Sequence, residues 1–287
     1  MKKIKIFQKG FNFSQDGPGN RLVIHLQGCN MRCPWCSNPE GIAVNGSLMK
    51  KNALRDAACP FGAIVDGTVY RSVCGTCEML TCASVFGGLN LSCIETDTQA
   101  VLRECLSCEP MFFDGGGVTL TGGEPTLQFD AVLELLTLLK ANGIHTALET
   151  NATNPRLPEL FGLVDYLITD IKHYDSALHN RTVGVSNSVV IDNISRAAKE
   201  RTQLLIRIPL IGGFNCRSGD EKKFGDLLEN ICTASCNVEL LRYHEYGKNK
   251  WKSCGMEYTM DNAFVTDETY KKFRDELVFR GLNVIRT

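Results

Sequence analysis

The sequence lacks an excess of charge of either sign. Its 31 Lys and Arg residues are balanced by 32 Asp and Glu residues, which leaves a formal net charge of −1. A protein that binds nucleic acid presents a basic surface to the phosphates, and this chain has no basic excess and no acidic tail. We therefore expect no nucleic-acid partner.

Long apolar runs are absent as well. No stretch approaches the roughly 18 consecutive apolar residues of a membrane span, and the charged start at residues 1–7 has no apolar core of the length that a secretory signal needs. We expect a cytoplasmic protein without a membrane partner. A chain of 287 residues with 44% hydrophobic residues can form one sizeable domain, or a domain with a small insertion, and we expect a monomer.

Cysteine, in contrast, is abundant. The chain has 14 cysteines, most of them clustered at 29–36, 59–82 and 93–108. Disulfide frameworks are typical of short secreted domains, so clustered cysteines in a reducing compartment favour metal ligation. The sequence assigns no role to Cys93, Cys105, Cys108, Cys216, Cys232, Cys236 and Cys254.

The first cluster is a loop with CxxxCxxC spacing, formed by Cys29, Cys33 and Cys36 directly after a hydrophobic stretch. A structural zinc site takes four protein ligands, and an electron-transfer iron–sulfur cluster usually takes four cysteines. Three thiolates on one loop would hold a 4Fe–4S cluster with one iron open to a small molecule, and Trp35 would pack beside that molecule. A zinc loop completed by a distant ligand is the alternative.

A second motif, Gly122-Gly123-Glu124-Pro125, follows the apolar residues 118–120. Paired glycines let the backbone approach a ligand closely, and Glu124 offers a carboxylate to a cation such as an amino group. By itself the motif could be an ordinary turn. It becomes specific if it faces the same opening as the cysteine loop.

Strand and helix patterns alternate along most of the chain, which predicts parallel βα units with right-handed crossovers. Six such units predict an α/β fold, a partial (βα)6 TIM-like barrel that is open on one side, with its ligand site at the carboxyl ends of the strands. Residues 49–97 break the alternation and are predicted to be a cysteine-rich insertion, so that 1–48 and 98–287 form the barrel. The predicted strands are 21–27, 118–121, 146–149, 166–170, 204–209 and 238–242, and the predicted helices are 129–141, 187–199, 222–231 and 267–280.

Together these motifs resemble the radical S-adenosylmethionine superfamily, and more closely its glycyl-radical-enzyme activating enzymes, of the pyruvate formate-lyase activating enzyme type. The resemblance extends through most of the chain. The segments that carry it are 16–19, 28–40, 115–125, 149–151, 170–172, 182–187, 207–211 and 243–244.

The resemblance implies a role for each matching residue. The three cysteines would ligate the cluster, and S-adenosylmethionine would bind its open iron through amino and carboxylate groups. The methionine amino end would contact Gly122, Gly123 and Glu124, Arg207 would face the cofactor's carboxylate or ribose, and His244 would lie near its adenosyl part. The cofactor pocket, which in family members can also hold a monovalent cation, would be lined by Glu149, Thr150, Asp170 and Lys172. A loop of Asp16, Gly17, Pro18 and Gly19 would grip the backbone of a protein substrate.

Each of these side chains also has a simpler interpretation. Asp170 and Lys172 could form an ordinary ion pair at a strand end, and Arg207 could alternate out of an apolar run to face solvent. His244 could be a surface histidine, and Asp16 could merely shape the glycine–proline turn that follows it.

The insertion resembles a ferredoxin module that has lost part of its cysteines. Activating enzymes with an insertion here usually carry two complete ferredoxin motifs, whereas this chain keeps only Cys59, Cys74, Cys77 and Cys82. Four thiols suffice for one auxiliary 4Fe–4S cluster, because a cysteine of one ferredoxin motif can ligate the cluster of the other. A four-cysteine zinc site and a region without metal remain the alternatives.

The function expected from the resemblance is activation of a glycyl radical enzyme. Reductive cleavage of S-adenosylmethionine would give a 5′-deoxyadenosyl radical that abstracts a hydrogen from a glycine Cα of the partner enzyme, with a flavodoxin or ferredoxin as electron donor. One alternative is a radical enzyme of the same superfamily that acts on a small molecule or another peptide. A second alternative is an iron–sulfur electron carrier without catalysis, which would not need the charged residues at the strand ends.

Overall fold

The computed structural model of the chain describes residues 1–50, 61–65, 68–70, 73, 88–200, 203–233 and 235–287. The strands are β1 (Lys3–Phe13), β2 (Asn20–Leu26), β3 (Leu48–Lys50), β4 (Ile64–Val65), β5 (Thr68–Val69), β6 (Leu89–Leu91), β7 (Ile94–Asp97), β8 (Gly117–Gly122), β9 (Thr146–Thr150), β10 (Tyr166–Asp170), β11 (Leu204–Leu210), β12 (Cys236–Arg242) and β13 (Asn283–Ile285). The α-helices are α1 (Thr98–Ser107), α2 (Phe129–Ala141), α3 (Ser176–Val183), α4 (Ser188–Glu200), α5 (Asp220–Ile231), α6 (Lys248–Ser253) and α7 (Asp267–Phe279). Short 3-10 helices lie at Pro39–Gly41, Glu109–Met111, Pro125–Gln128 and Leu157–Leu163.

The main sheet has nine strands in the order β13-β12-β11-β10-β9-β8-β2-β1-β7. Strand β2 and strands β8 to β13 are parallel to one another, whereas β1 is antiparallel to both β2 and β7. The two edge strands, β7 and β13, do not pair with each other in the described part of the chain. The predicted partial barrel of six βα units, β2 and β8 to β12, is therefore confirmed.

Side chains along each barrel strand point alternately to the apolar core under the helices and to the barrel interior. In β2, Leu22, Ile24 and Leu26 belong to the apolar core between sheet and helices, whereas His25 lines a cavity inside the barrel. Successive side chains of a strand point to opposite faces, so this arrangement repeats from strand to strand. The helices supply the other half of the core, as in α2, whose Val132, Leu135, Leu136 and Leu139 are fully buried at helical spacing.

All six predicted strands and all four predicted helices are present, with ends that differ by at most two residues. The prediction did not include β1, β7, α1, α3 and α6. Strand β1 carries alternating lysines and isoleucines at its start, and only Ile4 and Ile6 of that part are buried. The many charged and polar residues of β1 hid it from the prediction, because a strand with one exposed face needs apolar residues on its other face only.

The predicted insertion is described only in fragments. Strands β3 and β6 pair with each other, and β4 and β5 form a small hairpin. Strand β7 falls within the range 49–97 but pairs with β1 of the main sheet. The auxiliary ligands predicted at Cys59, Cys74, Cys77 and Cys82 lie outside the described residues, so the ferredoxin-like insertion and the domain division remain predictions.

Among the residues that the structure describes, no helix combines the length and the apolar character needed to cross a bilayer.

Candidate functional site

The carboxyl ends of the barrel strands surround a cavity of about 480 Å³. All three cysteines of the CxxxCxxC loop line it, together with residues at the carboxyl ends of five neighbouring strands. The predicted site residues that line the cavity are Asp16, Cys29, Cys33, Trp35, Cys36, Gly122, Gly123, Glu149, Thr150, Asp170, Lys172 and His244. Sequence reasoning did not assign a role to Gln15, His25, Met31, Ser37, Asn38, Thr121, Asn151, Pro209 and Tyr246, which also line it.

The cysteine loop is closed at its base and held at its tip. The backbone N–H of Gly28 donates to the carbonyl of Gly41 at 2.8 Å, and that of Cys29 donates to Ile42 at 2.9 Å. At the tip, the N–H of Arg32 donates to the carbonyl of Val183 at 2.8 Å. These backbone contacts fix the loop above the end of β2, which turns its three thiols toward one space.

The donor set fits an iron–sulfur cluster better than a single ion. Within the described ranges, no group of three or more His, Cys, Asp or Glu side chains converges closely enough to hold one metal ion, yet the three thiols share the cavity. Burial raises the pKa of Cys29 and Cys33 to about 12 and that of Cys36 to about 11. Metal ligands must be thiolates, so binding of a cationic centre here would release the protons of these three thiols.

The two adjacent glycines bring the second motif against the cysteine loop. Gly122 has a φ of +139°, a conformation that L side chains rarely adopt. A Cβ at Gly123 would collide with the carbonyl oxygens of Gly28 and Gly41, the two residues that close the cysteine loop. The glycine pair is therefore required for packing of strand β8 against the loop, and both glycines line the cavity.

Glu124 lies below the cavity and does not line it. Its side chain is fully buried, and burial raises its pKa. One carboxylate oxygen accepts hydrogen bonds from the Thr126 hydroxyl at 2.5 Å and the Thr150 hydroxyl at 2.7 Å, and the other accepts from the Asn151 N–H at 2.7 Å. The carboxylate thus holds the end of β9, and its contact with an amino group of the cofactor remains a prediction.

Asp170 and Lys172 form an ion pair, and both side chains also line the cavity. Lys172 Nζ lies 3.0 Å from Asp170 Oδ2, so the strand-end ion pair exists. Burial by itself would lower the pKa of Lys172. The negative charge of Asp170 and the proximity of Cys33 outweigh burial and raise that pKa, which keeps the ammonium charged.

Arg207 is buried, so its solvent-facing interpretation is wrong. Its Nη1 donates to Glu149 Oε1 at 2.7 Å, its Nε donates to Glu239 Oε2 at 2.9 Å, and its Nη2 donates to the carbonyl of Gln15. The two carboxylates raise the pKa of Arg207 despite its burial. Arg207 does not line the cavity, but it orients Glu149, which does; a contact between Arg207 and the cofactor remains a prediction.

His244 lies at the wall of the cavity, where it stacks on Tyr246 with ring centroids 4.1 Å apart and planes inclined by 21°. Burial lowers its pKa, which favours the neutral imidazole. His244 is therefore not an isolated surface histidine, and its place near an adenosyl group remains a prediction. Tyr246 is largely exposed and had no signal in the sequence.

The segment from Asp16 to Gly19 lies directly before β2 and is held by hydrogen bonds from two barrel strands. The Thr119 hydroxyl donates to the carbonyl of Asp16 at 2.7 Å, and Arg21 Nη1 donates to the carbonyl of Pro18 at 2.8 Å. Asp16 itself lines the cavity, so it does more than shape the turn. Its predicted grip on a substrate backbone is untested by these contacts.

Comparisons with known proteins agree with this geometry. The family model of the Radical SAM superfamily matches residues 23–218. A solved radical SAM methyltransferase from Sphaerobacter thermophilus superimposes with a TM-score of 0.54 at 13% identity over 96% of this chain and 67% of that chain, which shows the fold alone. The fold and the three-cysteine cavity thus define a radical S-adenosylmethionine protein.

The relatives narrow this class. The isethionate sulfite-lyase activating enzyme of Desulfovibrio desulfuricans is 34% identical over 290 residues, with 91% of each chain covered. The choline trimethylamine-lyase activating enzyme of Oleidesulfovibrio alaskensis is 32% identical over 266 residues, with 86% of this chain and 85% of that chain covered. The chain belongs to the glycyl-radical-enzyme activating enzymes of the radical S-adenosylmethionine superfamily.

Proposed function

We propose that this chain activates a partner glycyl radical enzyme. When bound, a 4Fe–4S cluster on Cys29, Cys33 and Cys36 and S-adenosylmethionine supply the electron and the radical that removes a hydrogen atom from a glycine Cα of the partner. The observation that carries this proposal is that the three thiols share one cavity with the charged ends of β9 and β10.

The charges of the cavity suit S-adenosylmethionine. Among the residues that the structure describes, its lining contains the carboxylates of Asp16, Glu149 and Asp170 and one ammonium group, that of Lys172. A sulfonium, an ammonium and one carboxylate give the cofactor a net positive charge, which a net negative lining complements. Lys172 is the residue suited to the cofactor carboxylate, while Glu149 and Asp170 are suited to its ammonium. A monovalent cation beside these carboxylates is part of the same proposal.

The remaining residues position the cofactor and restrict water. Arg207 fixes Glu149, and Glu124 fixes the end of β9 from below. A substrate would enter at the open side of the partial barrel. A loop of another protein fits such an opening, which favours a glycine-bearing protein loop over a small molecule.

Four further features belong to the proposal. A single auxiliary 4Fe–4S cluster on Cys59, Cys74, Cys77 and Cys82 would relay electrons, and a flavodoxin or ferredoxin would deliver them. We further propose that the chain acts as a monomer and in the cytoplasm, as the sequence predicts. The four-thiol count supports the cluster, and the low potential needed to reduce S-adenosylmethionine supports the donor class.

The test starts with the anaerobically reconstituted protein, S-adenosylmethionine and dithionite. We expect 5′-deoxyadenosine from the wild type and none from a triple-cysteine variant in which Cys29, Cys33 and Cys36 are replaced by Ala. A wild type that gives no product would reject every radical-enzyme function and leave the electron carrier.

Partner identity needs a second measurement. Purified glycyl radical enzymes, starting with isethionate sulfite-lyase and choline trimethylamine-lyase, are incubated with the activated protein and examined by electron paramagnetic resonance. A glycyl radical on one of them supports activation of that enzyme. Turnover of S-adenosylmethionine without a radical on any glycyl radical enzyme would favour a small-molecule or peptide substrate.

A further inference from the structure

The three cysteines of the loop are held in place by different contacts; the backbone around each cysteine is called its arm. The N–H of Cys29 donates to the backbone of Ile42, next to the loop base. Cys33 is buried in a small apolar cluster with Val183. Cys36 lies at the far end of the loop, and its arm is held by a side chain from a distant helix.

Helix α6 contacts this third arm at several points. Trp251 Nε1 donates to the carbonyl oxygen of Cys36 at 2.8 Å. Gly247, just before the helix, packs against the same oxygen, since a Cβ there would lie 2.5 Å from it. Lys250 Nζ lies 2.7 Å from Glu40 Oε1, in the turn that follows the loop, and Glu40 is itself buried. The segment from Cys36 to Glu40 is thus docked on residues 247–251.

We propose that Trp251 is a positioning residue for Cys36, and through it for the cluster. The proposal rests on the proposed function, because it takes Cys36 as a cluster ligand. Trp251 is not among the residues that line the cavity, so it acts on the ligand residue and not on S-adenosylmethionine. By fixing the Cys36 carbonyl it fixes the backbone from which the thiolate reaches the cluster.

The hydrogen bond can be separated from the packing of the indole. The ring of Trp251 meets the ring of Tyr258 edge-on, with centroids 5.8 Å apart. Phenylalanine keeps an aromatic ring at this place and removes only the N–H donor. Trp251→Phe is therefore the variant that tests the donor.

Gly247→Ala tests the same arm independently. Gly247 has φ −77° and ψ −17°, a conformation that alanine adopts without strain. The cost of the added methyl group is therefore its collision with the Cys36 carbonyl and with Ser37 behind it. If Trp251→Phe fails to fold, Gly247→Ala still decides the question.

The experiment measures loss of iron from the anaerobically reconstituted full-length protein to a ferrous chelator. Iron held by the triple-cysteine variant is subtracted, so that only iron of the 29–36 loop is followed. The electron paramagnetic resonance spectrum of the dithionite-reduced protein is recorded with and without S-adenosylmethionine. Lys252→Ala, at an exposed position of the same helix, is the matched control.

We expect Trp251→Phe to release loop iron about three- to tenfold faster than the wild type, the range that the loss of one hydrogen bond implies. Gly247→Ala should change the rate in the same direction, both variants should alter the spectrum, and Lys252→Ala should do neither. Wild-type rates and spectra in both Trp251→Phe and Gly247→Ala would overturn this proposal alone. A wild type that holds no more iron than the triple-cysteine variant would overturn the proposed function, and this proposal with it.

Discussion

The buried Arg207 offers a direct test of how the barrel interior is held together. Arg207→Met removes the guanidinium while keeping most of the side-chain volume, which leaves Glu149 and Glu239 without their shared cation. Their side chains are 22% and 3% exposed, so Glu239 has no access to water and Glu149 has only the partial access that the cavity gives. Breaking a buried ion pair by removing one member costs about 3–5 kcal/mol, a large share of the roughly 5–15 kcal/mol that stabilises a domain.

The pH dependence of this loss follows from Glu149. Burial already raises the pKa of its carboxyl, and Arg207 is the charge that opposes this shift. Without Arg207 that pKa rises further above its unfolded value, so the folded variant binds an additional proton as pH falls. A group whose folded pKa is raised contributes stability at low pH that is lost as pH rises. The deficit of the variant relative to the wild type should therefore become smaller, and not larger, as pH falls.

The assay is urea unfolding of the anaerobically reconstituted protein, followed by circular dichroism at pH 6, 7 and 8. Arg280→Met is the matched control. Arg280 likewise contacts carboxylates, three of them at 2.8 Å each, but two of the three are more than half exposed. Surface ion pairs contribute little, so this control should lose clearly less stability. The double variant Arg207→Met, Glu149→Gln should be more stable than Arg207→Met alone. It should also no longer show the pH dependence that Glu149 causes. A deficit that grows as pH falls from 8 to 6 would refute the explanation by an uncompensated carboxylate.

Three further predictions concern the cysteine loop and its support. Gly123→Ala should bind little iron in the loop even though the protein still folds, because the added methyl group displaces Gly28. Iron and sulfide analysis measures the bound cluster, and far-UV circular dichroism measures folding. A full iron complement would contradict the prediction. Glu124→Gln should lower the free energy of unfolding by about 1–3 kcal/mol, since the NH2 group of the amide, if turned toward the Asn151 N–H, cannot accept its hydrogen bond. Urea unfolding measures the loss. An unchanged midpoint would show that Gln satisfies the same donors. The triple-cysteine variant should retain about four irons, as one cubane on four thiols requires, and a value near zero would reject the auxiliary cluster.

Much of the fold was accessible from the sequence because its signal is local. Helix α2 was predicted with its observed ends, since apolar residues at helical spacing need a common partner surface. The parallel strands were found because strands buried on both faces read as short apolar runs. Helix α3 was missed because it is short and largely polar, with only His179 and Val183 buried.

The site was predicted in part, and there is a physical reason why some of its features can be read from the sequence and others cannot. His25 and Thr121 line the cavity and could have been found, because they share the inward alternation of their strands. The burial of Glu124 could not have been found, since the same Gly-Gly-Glu sequence is compatible with a carboxylate above or below the strand end. Its direction is decided by the hydroxyl and N–H donors of Thr150 and Asn151, which belong to another strand.

The sequence by itself determined the cysteine spacing, the adjacent glycines and the order of βα units. These features depend on neighbours along the chain, because covalent geometry alone keeps Cys29, Cys33 and Cys36 within one loop. The tertiary structure decided which distant charges meet and what holds the loop. Arg207 joins carboxylates from two other strands, and Trp251 reaches Cys36 across 215 residues of sequence. Such contacts form only when the barrel closes around its interior, because burial there leaves each polar group with no partner except the one that the fold provides.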